Sequence, residues 1–297
     1  MKLHTEVEVG ISPLGISLSD RIMILGSCFA DNMGGKMKQH GFDVCVNPFG
    51  TLYNPASVLN SVERLSTGEK FTEDDCVEMG AGAGLVCSFS HHTKAARATK
   101  EEFLRDANAS LEAASTFWRK CNKVVITLGS AWVYSYKSTG LIVSNCLKRP
   151  AEEFFRERLS KESIFDRLER ILTANPDKEF FFTVSPIRHL ADGACGNSLS
   201  KASLLLAVSE LCAEFPLRCV YFPAFEIMID ELRDYRFYAE DMVHPSRQAV
   251  DYIWERFCEF AMDPKEKNAM EDAYKKYRRS LHRDILLQEQ KDLIDFL

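Results

Sequence analysis

No Cys-x-x-Cys pair occurs among the ten cysteines of this 297-residue chain, so the usual zinc-site spacing is missing. No apolar run approaches the roughly 20 residues that a membrane span needs. The opening Met1-Lys2-Leu3-His4-Thr5-Glu6 lacks the apolar stretch of a secretory leader. No glycine loop of the phosphate-cradling kind is present, which leaves coenzyme A as an acyl donor without support. Positive charge is not in excess: the formal net charge is -6, which argues against a broad nucleic-acid footprint. One basic run, Lys275, Lys276, Arg278 and Arg279, lies among acidic residues and reads as a solvated helix face. There is no internal repeat and no low-complexity tract. With 46% hydrophobic and 27% charged residues, the composition is that of a folded globular chain rather than a disordered one.

These absences lead to a set of expectations. The protein is expected to be soluble and cytoplasmic, with no metal, no cofactor, no nucleic-acid partner and no membrane partner. Several cysteines sit in apolar runs, as in Arg218-Cys219-Val220-Tyr221. They read as buried reduced thiols, which suits a reducing compartment.

What is present is an alternation. Five short apolar runs, Arg21–Leu25, Asp43–Val46, Lys123–Leu128, Glu179–Val184 and Arg218–Tyr221, read as parallel strands covered on both faces. Helical patterns separate them at Phe29–His40, Pro55–Leu65, Glu101–Lys120, Lys161–Thr173 and Leu199–Phe215. Strand–helix alternation predicts a doubly wound α/β fold with a parallel sheet of about five strands. Residues 71–92 read as a hairpin or excursion, and Trp132–Tyr136 with Leu141–Val143 as a second hairpin. From Asp263 the chain is charged. Met270, Tyr274, Tyr277, Leu281 and Ile285 recur at helical steps and predict an amphipathic extension. The expected division is therefore a body over 1–262 and a helical extension over 263–297. That extension packs on its own chain or serves oligomerisation.

Two segments carry the candidate chemistry. In Leu25-Gly26-Ser27-Cys28-Phe29 a strand runs through a glycine into two potential nucleophiles and then a helix. Such a turn faces the ligand crevice of an open α/β sheet. The helix N-terminus offers free amides that stabilise an oxyanion and lower a thiol pKa. The plain alternative is a strand-to-helix connection with a buried cysteine. In Glu240-Asp241-Met242-Val243-His244-Pro245, His244 precedes a helix in whose first turn Pro245 is expected. Asp241 can fold back onto one ring nitrogen and leave the other as a base. The plain alternative there is a capping region with a surface histidine.

Lesser candidates surround these. Asn47 and Gly50 lie in Asn47-Pro48-Phe49-Gly50-Thr51, where Gly50 is read as a second oxyanion donor or as a structural turn. Gly129 and Trp132 follow the third strand and are expected to line the same crevice, with core packing the alternative for Trp132. His189 and His91-His92 lie in loops within reach of a site, although a structural role is the stronger reading for each.

Gly26-Ser27-Cys28-Phe29-Ala30 resembles the signature of the GSCFA family, and Asn47–Pro55, Gly129–Tyr134, Ser185–His189 and Tyr235–Ser246 resemble its recurring blocks. The resemblance spans about residues 20–250. It implies kinship with the SGNH (GDSL-like) hydrolases, hence a flavodoxin-like three-layer α/β/α fold and acyl-ester chemistry. The SGNH pattern sets the nucleophile two places after the glycine, which is Cys28 rather than Ser27. Asp241-x-x-His244 matches the closing block. The third block departs from the pattern, because Gly129-Ser130-Ala131-Trp132 has no asparagine; Asn145 is the candidate replacement. The implied function is hydrolysis or transfer of an acyl group on a small-molecule or carbohydrate substrate. Cys28 is preferred over Ser27 as nucleophile, and a Cys–His pair is expected to hold a thiolate. The missing asparagine supports the alternative, a non-catalytic binding or scaffold module that retains the fold.

Overall fold

Continuous apolarity in the five core runs has the expected outcome. In the computed structural model, which describes residues 5–295 with side chains as far as Leu281 and at Arg283, they form one parallel sheet. Its strands are β1 (Arg21–Gly26), β2 (Asp43–Val46), β5 (Lys123–Leu128), β9 (Glu179–Val184) and β10 (Cys219–Tyr221). The spatial order is β10-β9-β5-β1-β2. Counted along the chain this is the flavodoxin-like order 2-1-3-4-5. Gly26 stands opposite Thr127 and Leu128 opposite Val184, so β1, β5 and β9 end side by side.

Alternate side chains of each strand feed two separate cores. Met23, Leu25, Val124, Ile126, Phe180 and Phe182 face one layer of helices. That layer holds α2 (Pro55–Thr67), α3 (Lys100–Trp118), α4 (Lys161–Ala174) and α5 (Gly193–Glu214). Ile22, Ile24, Val125 and Phe181 face the other. That one holds α1 (Cys28–Gln39) and α7 (Arg247–Ala261), with the single turn α6 (Ala224–Glu226) between β10 and α7. The helices start where side-chain caps allow. Ser27, Asn54, Thr99, Ser160 and Ser246 each accept an amide of the first turn. Pro245 therefore lies ahead of the α7 cap, not in the helix as expected, because Ser246 takes the capping position.

Both predicted hairpins form. β3 (Val77–Glu78) pairs antiparallel with β4 (Val86–Cys87), and β6 (Trp132–Tyr136) pairs antiparallel with β7 (Ile142–Val143). A third strand, β8 (Phe154–Arg158), adds to β6. The extension is helix α8 (Lys267–Asp295). Its start packs on the body: Met270 is buried, and the Tyr274 ring stacks on His40 at 4.7 Å. Farther along, Tyr277 and Leu281 are 38% and 48% exposed. Ile285 and the side chains of His4 and His282 lie outside the described residues. Among the described residues no helix is long and apolar enough to cross a membrane.

His91 is a core residue. Its ring meets Phe49, Phe71 and Phe103 at 5.4, 4.7 and 5.3 Å, and its Nδ1 bonds Ser88 Oγ at 2.7 Å. Burial holds it down to about 4. Between its unfolded value near pH 6.5 and that pH, the unfolded chain takes up a proton that the folded chain refuses. Stability is therefore lost as pH falls through this window, by on the order of 2–3 kcal/mol at pH 4. Urea unfolding at pH 7 and pH 4.5 is expected to show a drop shallower by about 2 kcal/mol in His91→Leu; an equal drop in both proteins would refute it.

Candidate active site

The elbow is built on close backbone approach. Gly26 has φ 135° and receives the Asn47 side chain, with its amide donating to Asn47 Oδ1 at 2.8 Å. A Cβ there would stand 2.1 Å from the Thr127 carbonyl oxygen, so the turn admits only glycine. The next two residues then diverge. Ser27 is 1% exposed; its amide donates to Thr127 O, and its hydroxyl meets Thr127 Oγ1 at 3.2 Å and accepts the Phe29 amide. Ser27 is thus a buried helix cap outside the crevice, not a nucleophile. Cys28 opens α1 and lines a cavity of about 470 Å³ together with Tyr53, Trp132, Asn145, His189 and His244.

That cavity lies at the carboxyl ends of β1 and β5, where the strand order reverses, the usual place for a ligand in an open α/β sheet. The closing loop reaches it through a set of backbone bonds. Arg188 donates its amide to Val243 O and its Nη1 to Met242 O, both at 3.1 Å, and its guanidinium lies over the Tyr238 ring at 5.3 Å. Met242 turns the chain at φ 57°. Asp241 Oδ1 accepts the amides of Val243 and His244, and Oδ2 meets His244 Nδ1 at 2.6 Å. These amides and the imidazole hold the Asp241 carboxyl down to about 2, so it stays ionised at neutral pH.

Burial pushes the Cys28 thiol up to about 11 against the opposing pull of the Cys28 and Phe29 amides. The helix end therefore does not deliver the resting thiolate expected from sequence.

The lesser candidates divide. Trp132 and Asn145 line the cavity. Asn145 Oδ1 is taken by the Leu147 amide. Trp132 Nε1 is buried without a hydrogen-bond partner, as is His189 Nε2. Gly50 is corrected: its amide is spent on Asn47 O at 2.7 Å, and a Cβ there would meet His92 Cβ at 2.4 Å. It is a structural turn, not an oxyanion donor. Asn47 is corrected too, since both ends of its amide are committed, to the Gly26 amide and to Asp31. Gly129 backs the cavity wall. Its amide goes to Tyr53 O, and it packs where a Cβ would lie 3.4 Å from Ser27 Cβ.

Several groups in the site were missed in the sequence. Tyr53 lines the cavity with its ring edge-on to His189 at 6.0 Å. Arg156 stacks on Trp132 at 4.1 Å and pairs with the buried carboxylate of Asp192. Lys201, wholly buried on α5, donates to Gly129 O at 2.7 Å and Ser185 O at 2.8 Å. Tyr53 and Arg188 had a visible signal, because both fall within blocks already singled out. Lys201 had none beyond a lone lysine in an apolar helix. Among the described residues no group of three or more His, Cys, Asp or Glu is arranged to hold a metal ion.

Fold and site together define a flavodoxin-like α/β protein whose crevice, at the reversal of strand order, is lined by a cysteine of the elbow and by a carboxylate-oriented histidine. The GSCFA family profile matches residues 21–257, and the chain belongs to the GSCFA family. No curated protein matches the chain significantly. Among solved structures, a candidate acylhydrolase from Bacteroides fragilis NCTC 9343 is similar at 10% identity and a TM-score of 0.39, over 87% of this chain and 91% of its own. A likeness that weak carries no argument about activity.

Proposed function

We propose that this crevice performs acyl transfer from an ester of a small molecule or carbohydrate, with Cys28 as nucleophile, His244 as general base and Asp241 as its orienter. One observation carries the reading: Cys28 and His244 border the same cavity, while the Asp241 carboxylate occupies His244 Nδ1. That contact keeps the proton on Nδ1 and leaves Nε2 free to accept another. As the Cys28 sulfur bonds to the ester carbonyl carbon, its proton passes to Nε2 and the carbonyl electrons move onto oxygen. Collapse breaks the C–O bond, and the leaving alkoxide takes the proton back from the imidazolium. Water, or an acceptor hydroxyl, then attacks the thioester by the same route in reverse. The Cys28 amide, with no carbonyl a turn behind it in α1, is available to the oxyanion. The orphaned Trp132 Nε1 and the Asn145 amide suit the hydroxyls of a sugar.

The raised Cys28 thiol favours one other reading, a binding module that holds the same acylated ligand without turning it over. The two separate in a kinetic comparison of p-nitrophenyl ester hydrolysis by the wild type and by His244→Ala. Acyl transfer predicts a loss of about 10³-fold or more in the variant. Equal rates, or no turnover in either protein, would favour the binding module.

A further inference from the structure

Lysine is the residue least expected inside a helix core, because burial of an ammonium is costly unless it is bound by acceptors. Lys201 is 1% exposed, and its acceptors are two backbone carbonyls rather than a carboxylate. Gly129 O and Ser185 O belong to the residues that follow β5 and β9, so one side chain ties together two strand ends that border the crevice. Its neighbour Ser200 strengthens the same grip, with Oγ accepting the Ala131 amide at 2.8 Å and meeting Ser130 Oγ at 3.3 Å. Gly129 in turn packs against Ser27, next to Cys28. The charged and titratable groups that act on the ammonium are Cys28, Asp192 and His189, with the Phe225 ring 5.7 Å away; Cys28 is also acted on by the Asp31 carboxylate, which opposes Lys201 and outweighs it, and by Tyr53.

We propose that Lys201 is a positioning residue for the Cys28 chemistry: its ammonium locks the ends of β5 and β9 under the crevice and supplies the buried positive charge that offsets the negative charge developing on Cys28. Burial pulls the ammonium down to about 7, while Cys28 and Asp192 oppose that pull. Lys201 and the Cys28 thiol therefore act on each other in opposite senses, each favouring the charged form of its partner. This inference rests on the reading of Cys28 as nucleophile, but its test does not need the acyl reaction.

The test is the pH profile of Cys28 alkylation by iodoacetamide, read by peptide mapping on full-length protein. In Lys201→Met the Cys28 rate is expected to fall about threefold at pH 7 and below, where the ammonium carries its charge, and to approach the wild-type rate at higher pH, where the lysine has lost its proton. Lys201→Arg, which stays charged at every pH of the profile, is expected to match or exceed the wild-type rate at pH 7 and to remain above it at higher pH. Should the methionine variant not fold, Lys201→Gln removes the charge with a polar side chain and carries the same expectation. A folded neutral variant with the wild-type profile overturns the proposal. If wild-type Cys28 never takes up an acyl group yet its alkylation shifts in Lys201→Met, the acyl reading fails while the charge coupling stands. An acyl adduct in the wild type with no shift in the variant overturns Lys201 alone.

Discussion

Under the proposed reaction, Cys28→Ala is expected to abolish covalent acyl capture, with a loss of about 10³-fold or more in ester turnover, whereas Ser27→Ala is expected to keep turnover within about tenfold of wild type. The two side chains are adjacent in sequence but serve different parts of the protein. Cys28 borders the cavity with His244, and no other cysteine, serine or threonine there follows the strand-to-helix elbow. Ser27 caps α1 and bonds Thr127 behind the sheet end. Its replacement removes a cap, which costs about 1 kcal/mol of stability, and leaves Cys28 in place. Steady-state hydrolysis and thermal melting of both variants check this. A Ser27→Ala protein that melts normally yet has lost its activity would contradict the assignment.

Gly26→Ala is expected to cost about 4 kcal/mol of stability. A φ of 135° is strained for any side chain, and the added carbon falls 2.1 Å from Thr127 O and 2.6 Å from Thr127 Oγ1. Backbone strain contributes on the order of 1–3 kcal/mol and overpacking a similar amount. Relief requires β1 and β5 to separate where they carry the elbow and the Gly129 loop. Activity should therefore fall along with stability, as read by urea unfolding and ester turnover on the same preparation. A loss below about 1 kcal/mol would show that the strand ends yield more easily than the packing implies.

The core sheet was legible because its strands are covered on both faces. Runs such as Val124-Val125-Ile126 and Phe180-Phe181-Phe182 have to be apolar on both sides, because alternate residues feed the two cores. The third strand of the small sheet, Phe154-Phe155-Arg156-Glu157-Arg158, escaped for the opposite reason. Only its first residue is buried, so neither apolar continuity nor alternation marks it. The Cys28 and His244 blocks were legible as local motifs. That both border one cavity involves Arg188 holding the closing loop, which no local pattern records. Asn47 and Gly50 were misread for a physical reason. A loop rich in Asn, Gly and Pro can present amides to a ligand or consume them in its own turns, and here the Asn47–Gly50 turn and the Gly26 contact consume them. Lys201 was invisible, since a lysine in sequence reads as solvated unless the carbonyls that will bind it are known.

Peptide mapping after a short, acid-quenched reaction with p-nitrophenyl acetate tests the central claim most directly, with His244→Ala carried alongside. The account predicts an acetyl group on the Cys28 peptide of the wild type, labile to hydroxylamine as a thioester is, and its absence from the variant. Acetyl on another residue, or equal labelling of Cys28 without His244, would contradict the account.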